Sequence, residues 1–200
     1  MKTKIIIIAV FFTGMVVFSQ ETKQVNEVKG LKAGVMAPDF NAIDADSIDF
    51  NLYETLKSGP VVLIFYRGFW CPYCNKHLAS IQDSLKMITD KGAHVIAASP
   101  ENPLYLTKMR DKTGAKFRLL YDEGYKISDA YEVTYTPEAK QLLKYKLINA
   151  QLKESHSDDS QRLPIPATYI IDTNGKIIWR QFDPDYRKRS TIKDILIHLP

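Results

Sequence analysis

The sequence has only two cysteines among 200 residues, Cys71 and Cys74. A disulfide scaffold is excluded, because one closely spaced pair cannot staple a chain of this length. Charge of one dominant sign is missing too, with 27 Lys and Arg standing against 23 Asp and Glu. So balanced a surface offers no field for nucleic acid or anionic lipid. The apolar run Ile5 to Phe18 is too short for a comfortable membrane span. It follows Lys2 and Lys4 and ends in Val17-Phe18-Ser19, so residues 1–19 read as a cleaved secretory signal. No cysteine lies near that cleavage point, which excludes a lipoprotein. Removing the signal takes two basic residues and no acid, leaving 25 against 23, a net charge of +2. The expectation is an exported protein, periplasmic or extracellular, with no nucleic-acid partner and no stable membrane insertion after cleavage.

What remains, roughly 180 residues, is enough for one domain with a real core. Residues 20–33 are polar and read as a loose linker, and the domain is expected over 34–200. It is organised around Phe65-Tyr66-Arg67-Gly68-Phe69-Trp70-Cys71-Pro72-Tyr73-Cys74. Val61 to Phe65 is a buried strand by its unbroken apolar, β-branched character. A helix opens at Pro72, where the missing N–H of proline is harmless. Its apolar stripe is Leu78, Ile81, Leu85 and Ile88, and both cysteines fall on that stripe.

Unpaired N–H groups and the dipole at a helix start favour a thiolate, the reactive form of cysteine. Cys71 at the mouth is expected to be the exposed nucleophile. Cys74, one turn in, is the resolving thiol, near enough for a disulfide to close. A purely structural bridge at this spacing closes a tiny loop and stabilises little. Half a zinc site with His77 needs further ligands, and His94, His156 and His198 are scattered. Covalent haem needs histidine directly after Cys74, where Asn75 stands. Redox chemistry leads, with no metal and no cofactor.

Along the chain, Asn41–Ile43 and Ser47–Phe50 suggest a β-hairpin, and Asn51 caps a short helix through Leu56. The dithiol helix is expected to run to Asp90-Lys91-Gly92. His94 to Ala98 is the next strand, a helix follows from about Pro103 to Thr113, and Phe117 to Tyr121 is a third strand. Tyr125 to Tyr131 reads as helical. The stretch from Thr134 to Gln161 reads as an insertion, with a helix to about Leu152 and an exposed polar loop from Lys153. Tyr169 to Asp172 and Lys176 to Phe182 form a hairpin about Thr173-Asn174-Gly175. A last helix covers about Ser190 to Leu199.

That order of elements resembles the thioredoxin fold: a central mixed β-sheet flanked by helices. Here it carries an N-terminal β-hairpin extension and a helical insertion (about 134–161) before the proline-led hairpin. Within it, the chain resembles the peroxiredoxin-like branch of the alkyl hydroperoxide reductase / thiol-specific antioxidant family. The resemblance rests on Ala37-Pro38-Asp39-Phe40, on the dithiol stretch, on Pro164 to Gly175 and on Asp183-Pro184-Asp185-Tyr186. It implies that Pro166 is a cis-proline packed beside the dithiol and acting with it. It implies a thiol-dependent peroxidase drawing electrons from a thioredoxin-like dithiol donor.

Three positions depart from the family pattern. The proline seven residues before the peroxidatic cysteine is Ile64, the Thr or Ser three before it is Gly68, and the peroxide-activating arginine falls at Pro166. The replacement guanidinium is sought at Arg67 or Arg187, which the parallel arrangement of the strands Val61–Phe65 and Ile177–Phe182 brings to one sheet edge. Trp70, beside Cys71, is a third candidate for the substrate site. Two functions of one chemistry stay open: reduction of a small hydroperoxide, or thioredoxin-like reduction of a protein disulfide. A non-enzymatic redox sensor is the third.

Overall fold

The computed structural model describes residues 23–156 and 158–200. The signal expected over residues 1–19 lies outside the described residues. β1 (Asn41–Ile43) and β2 (Asp49–Asn51) pair antiparallel as the expected hairpin. The Asn51 side chain accepts the N–H of Glu54 and so starts α1 (Leu52–Leu56). β3 (Val61–Phe65) is buried throughout, since it is the middle strand of five. After α2 (Pro72–Asp83) and α3 (Leu85–Thr89) come β4 (His94–Ser99), α4 (Pro103–Thr113), β5 (Arg118–Tyr121) and α5 (Lys126–Ala130). Then follow β6 (Thr134–Tyr135), α6 (Ala139–Leu147), α7 (Leu152–Ser155), β7 (Leu163–Pro164), β8 (Ala167–Ile171), β9 (Ile177–Phe182) and α8 (Ile192–His198).

The main sheet has the order β5-β4-β3-β8-β9. β3, β4 and β5 are parallel, β8 runs against β3, and β9 runs against β8. β3 and β9 therefore point the same way, and their C-terminal ends share one edge of the sheet. Alternation along β3 builds two cores. Val62, Ile64 and Tyr66 face Leu78, Ile81, Leu106 and Ile195 on one side. Val61, Leu63 and Phe65 face Leu52, Leu56, Ile127 and Tyr131 on the other. This is the mixed sheet flanked by helices of a thioredoxin-like fold. Among the described residues no helix is long and apolar enough to cross a membrane.

Four local expectations change. The dithiol helix is divided at Ser84, whose backbone (φ −108°, ψ 8°) leaves the helical region, and α3 turns to pack on β4 and α8. The stretch expected as a loose linker is tied down instead. Gly30 and Leu31 donate their N–H groups to Glu132 and Tyr131, Arg180 Nη1 donates to the carbonyls of Lys29, Gly30 and Leu31, and Val28 is buried. The inserted helix stops at Leu147, because Asn149 and Gln151 take left-handed backbone (φ 55° and 49°) before α7 begins. The polar tract after it is not an exposed loop at its start. Ser155 and His156 are buried, His156 bridges to Glu101, and its Nδ1 meets the Tyr125 hydroxyl at 2.9 Å. β6 and β7 pair antiparallel and close the insertion at its base.

Candidate active site

Cys71 ends the connection from β3 and is the N-cap of α2, with Pro72 at the first helical position. The Cys71 carbonyl accepts the N–H groups of Cys74 and Asn75 at 3.0 and 3.1 Å, which closes the first turn and stacks the two cysteines. Both are free thiols. The turn before them depends on Gly68, whose φ of +152° admits few side chains. A Cβ there would lie 2.5 Å from Glu101 Oε1 and 2.7 Å from Trp70 Nε1. Gly68→Ala is expected to lower stability by about 2–4 kcal/mol, read as a shifted denaturant midpoint at constant slope. A midpoint equal to wild type would mean that the turn relaxes freely.

Neither sulfur lies at the surface. Cys71 is 0 % exposed and Cys74 1 %, so the expectation that Cys71 is the exposed thiol is wrong. The cover is Arg67, whose Nη2 donates to Cys71 Sγ at 3.1 Å, itself only 2 % exposed. Arg67 Nη1 donates to the Tyr145 hydroxyl at 3.2 Å. The guanidinium lies 3.9 Å from the Tyr186 ring centroid, 4.9 Å from Trp70 and 5.8 Å from Tyr145. A cation so wrapped in aromatic faces loses its water but keeps electrostatic partners.

This environment separates the two thiols. A hydrogen bond from Cys74 lowers the Cys71 pKa most, and the charge and hydrogen bond of Arg67 follow; together they overcome burial and bring it down to about 5. Burial, with the hydrogen bond to Cys71 next, raises Cys74 well above the ordinary thiol value. One thiolate and one protonated thiol, side by side, result. Arg189 Nη2 approaches Cys74 Sγ at 3.7 Å.

Arg67 thus lies against Cys71, and Trp70 against the Arg67 guanidinium. Arg187 lies elsewhere. It is exposed and paired with Asp185 (Nε to Oδ1, 2.8 Å), because the turn at 185–188 folds its side chain onto the turn's own carboxylate. Arg189, two residues on, supplies the cation from that loop. Pro166 is buried and enters β8 where β3 ends, but no cis peptide occurs among the described residues, so Ile165–Pro166 is trans. The chain runs extended here from the β6–β7 ladder into β8, anchored by Ile165 N–H to Val133 O at 2.8 Å. Trans, the lower-energy form of such a bond, suffices for that path.

Tyr145 belongs to the insertion and meets Arg67 only through the fold. Two participants escaped sequence reasoning. Tyr186 stood in a quoted motif without a role. Glu101 follows β4 at the same sheet edge as Cys71, a position that the parallel topology made readable. It is fully buried, and its Oε2 accepts the Phe69 N–H at 2.8 Å. Burial pushes its pKa up to about 8, so it holds a proton at neutrality. His77 meets Ser190 Oγ at 3.2 Å, and burial together with Arg189 pulls its pKa to about 4.

A lowered thiol at a strand–helix junction, beside a second thiol kept protonated, makes this a thiol-based oxidoreductase of the thioredoxin-like class. The family model described as "AhpC/TSA family" matches residues 33–180. The chain belongs to the AhpC/TSA family. It is 27% identical to a putative peroxiredoxin of Mycobacterium tuberculosis over 153 residues, 76% of this chain and 86% of that one. It is 28% identical to the chloroplastic peroxiredoxin Q of Oryza sativa subsp. japonica over 163 residues, 80% of this chain and 64% of that one. Among solved structures, it is similar to peroxidoxin BcpB from Mycobacterium tuberculosis, with a TM-score of 0.65 and 20% identity over 84% of this chain and 96% of that one.

Proposed function

We propose that this chain is a thiol-dependent peroxidase in which Cys71 is the nucleophile and Cys74 the resolving thiol. The observation that carries the reading is the Arg67 guanidinium at 3.1 Å from Cys71 Sγ, beneath a cover that leaves neither sulfur exposed. A cation there holds the thiolate and faces the O–O bond that the thiolate attacks. The Cys71 thiolate displaces ROH from ROOH, one proton being taken up, and becomes a sulfenic acid. The Cys74 thiol then attacks that sulfur, and water leaves as the disulfide forms. Two electrons from a thioredoxin-like dithiol return both cysteines to thiols. Arg67 takes the part of the family arginine whose usual position holds Pro166.

Burial also bears on the alternative, thioredoxin-like reduction of protein disulfides. A small hydroperoxide needs only the Tyr186 cover and the guanidinium to give way, whereas a protein disulfide needs a path wide enough for a loop. Steady-state peroxide consumption compared with insulin reduction tests the choice. Peroxide turnover with little insulin reduction is expected, and the reverse would transfer the assignment to a disulfide reductase. The basic start and short apolar run of residues 1–19 support export with the signal removed, which the N-terminal sequence of the mature protein would test.

A further inference from the structure

Over the Arg67 guanidinium lies a cavity of about 200 Å³, walled by Trp70, Pro72, Tyr73, Lys144, Tyr145, Ile148 and Tyr186. Its walls are mostly ring faces and alkyl groups, with the Lys144 side chain the one charged group among them. The guanidinium at its floor is already engaged with the Cys71 sulfur, the Tyr145 hydroxyl and three rings. A ligand here gains chiefly by burying apolar surface, with the buried Arg67 Nε and Trp70 Nε1 as the two donors left without a partner among the described residues. The volume equals several waters at about 30 Å³ each, room for a phenyl ring or a branched alkyl group.

The apolar side chains at its rim are unusually open to water: Ile148 is 56 % exposed, Tyr73 43 % and Tyr186 38 %. Nothing in the core explains Ile148. It sits where α6 ends, its N–H bonded to Lys144 O, and Asn149 in the left-handed region turns the chain away behind it. Lys144, Tyr145 and Ile148, three of the seven walls, come from the inserted segment. Hydrogen peroxide has no apolar surface and gains nothing from such walls.

We propose that the insertion builds a side-group subsite. It makes the enzyme selective for hydroperoxides bearing a compact apolar group, aromatic or branched, over hydrogen peroxide, and Ile148 is the specificity-determining residue. The proposal rests on the peroxidase reading. The –OOH end of such a substrate reaches the guanidinium and Cys71, while its apolar end is held between Tyr73, Ile148 and Tyr186.

The test is the ratio of kcat/KM for cumene hydroperoxide to that for hydrogen peroxide. In wild type it should exceed one, and Ile148→Asp should lower it about tenfold, the scale of losing a small apolar contact. Leu147→Asp, at a neighbouring side chain 77 % exposed and outside the cavity wall, should leave the ratio alone. Binding of 2-phenyl-2-propanol, followed by tryptophan fluorescence, reads the subsite without turnover and should weaken in Ile148→Asp. Turnover of both peroxides with a ratio and alcohol binding unmoved by Ile148→Asp would overturn the subsite alone. If wild type turns over neither peroxide, the peroxidase reading falls, and alcohol binding still decides whether the cavity takes an apolar group.

Discussion

Cys71→Ser is expected to abolish hydroperoxide turnover, a loss of at least ~10³-fold, because serine at neutral pH offers no comparable nucleophile. Cys74→Ser should behave differently. Its hydroxyl can still donate a hydrogen bond to the Cys71 sulfur, the largest influence lowering that pKa, so the thiolate survives. The first equivalent of peroxide is then consumed at near wild-type rate, and turnover stops at the sulfenic acid for want of a resolving thiol. Single-turnover kinetics with a sulfenic-acid trap and intact mass would show one added oxygen on Cys71. A Cys71→Ser protein that still turns over, or a Cys74→Ser protein inert toward the first equivalent, would reverse the assignment.

Arg67→Met should raise the pKa of Cys71 by about 1–3 units, the scale of removing one adjacent opposite charge. Part of the depression remains, since the hydrogen bond from Cys74 is untouched. With a pKa of about 5, wild-type Cys71 is about 99% thiolate at pH 7, against about 1% for a thiol at the ordinary 9.0. Alkylation by iodoacetamide should therefore be flat above pH 6 in wild type and fall through pH 5. In Arg67→Met the fall moves upward, so the activity deficit is larger at pH 6 than at pH 8. The same shift is linked to stability. The folded pKa of Cys71 lies below its unfolded value, so its contribution is complete above about pH 9, shrinks through the window below, and is lost as pH falls through 5. An alkylation midpoint that stays near 5 in Arg67→Met would show that Arg67 does not hold the thiolate.

Much of the fold was legible because each element declares itself locally. The unbroken apolar run of β3, the Asn51 cap and the Thr173-Asn174-Gly175 turn all encode local geometry in residue type. The misreadings lie where long-range packing overrides composition. Residues 23–33 look like a linker because they are polar, yet their backbone groups find partners on Arg180, Tyr131 and Glu132. The exposed-loop reading of Lys153 onward failed because His156 is drawn inward to Glu101 and Tyr125.

By itself the sequence determined the chemistry: two cysteines at a strand–helix junction, spaced to react with one another. Spacing along one turn is a local property, and residues three apart on a helix are neighbours whatever surrounds them. Which thiol is charged, and what covers it, only the tertiary structure decided. Tyr145 and Tyr186 reach Arg67 from 78 and 119 positions away, and Arg189 rather than Arg187 meets Cys74, because a turn set by Asp185 chooses which side chain faces inward. A pKa depends on desolvation and on charges a few ångströms away. Those distances are fixed when β3, β9 and the inserted helix bring their ends to one edge of the sheet.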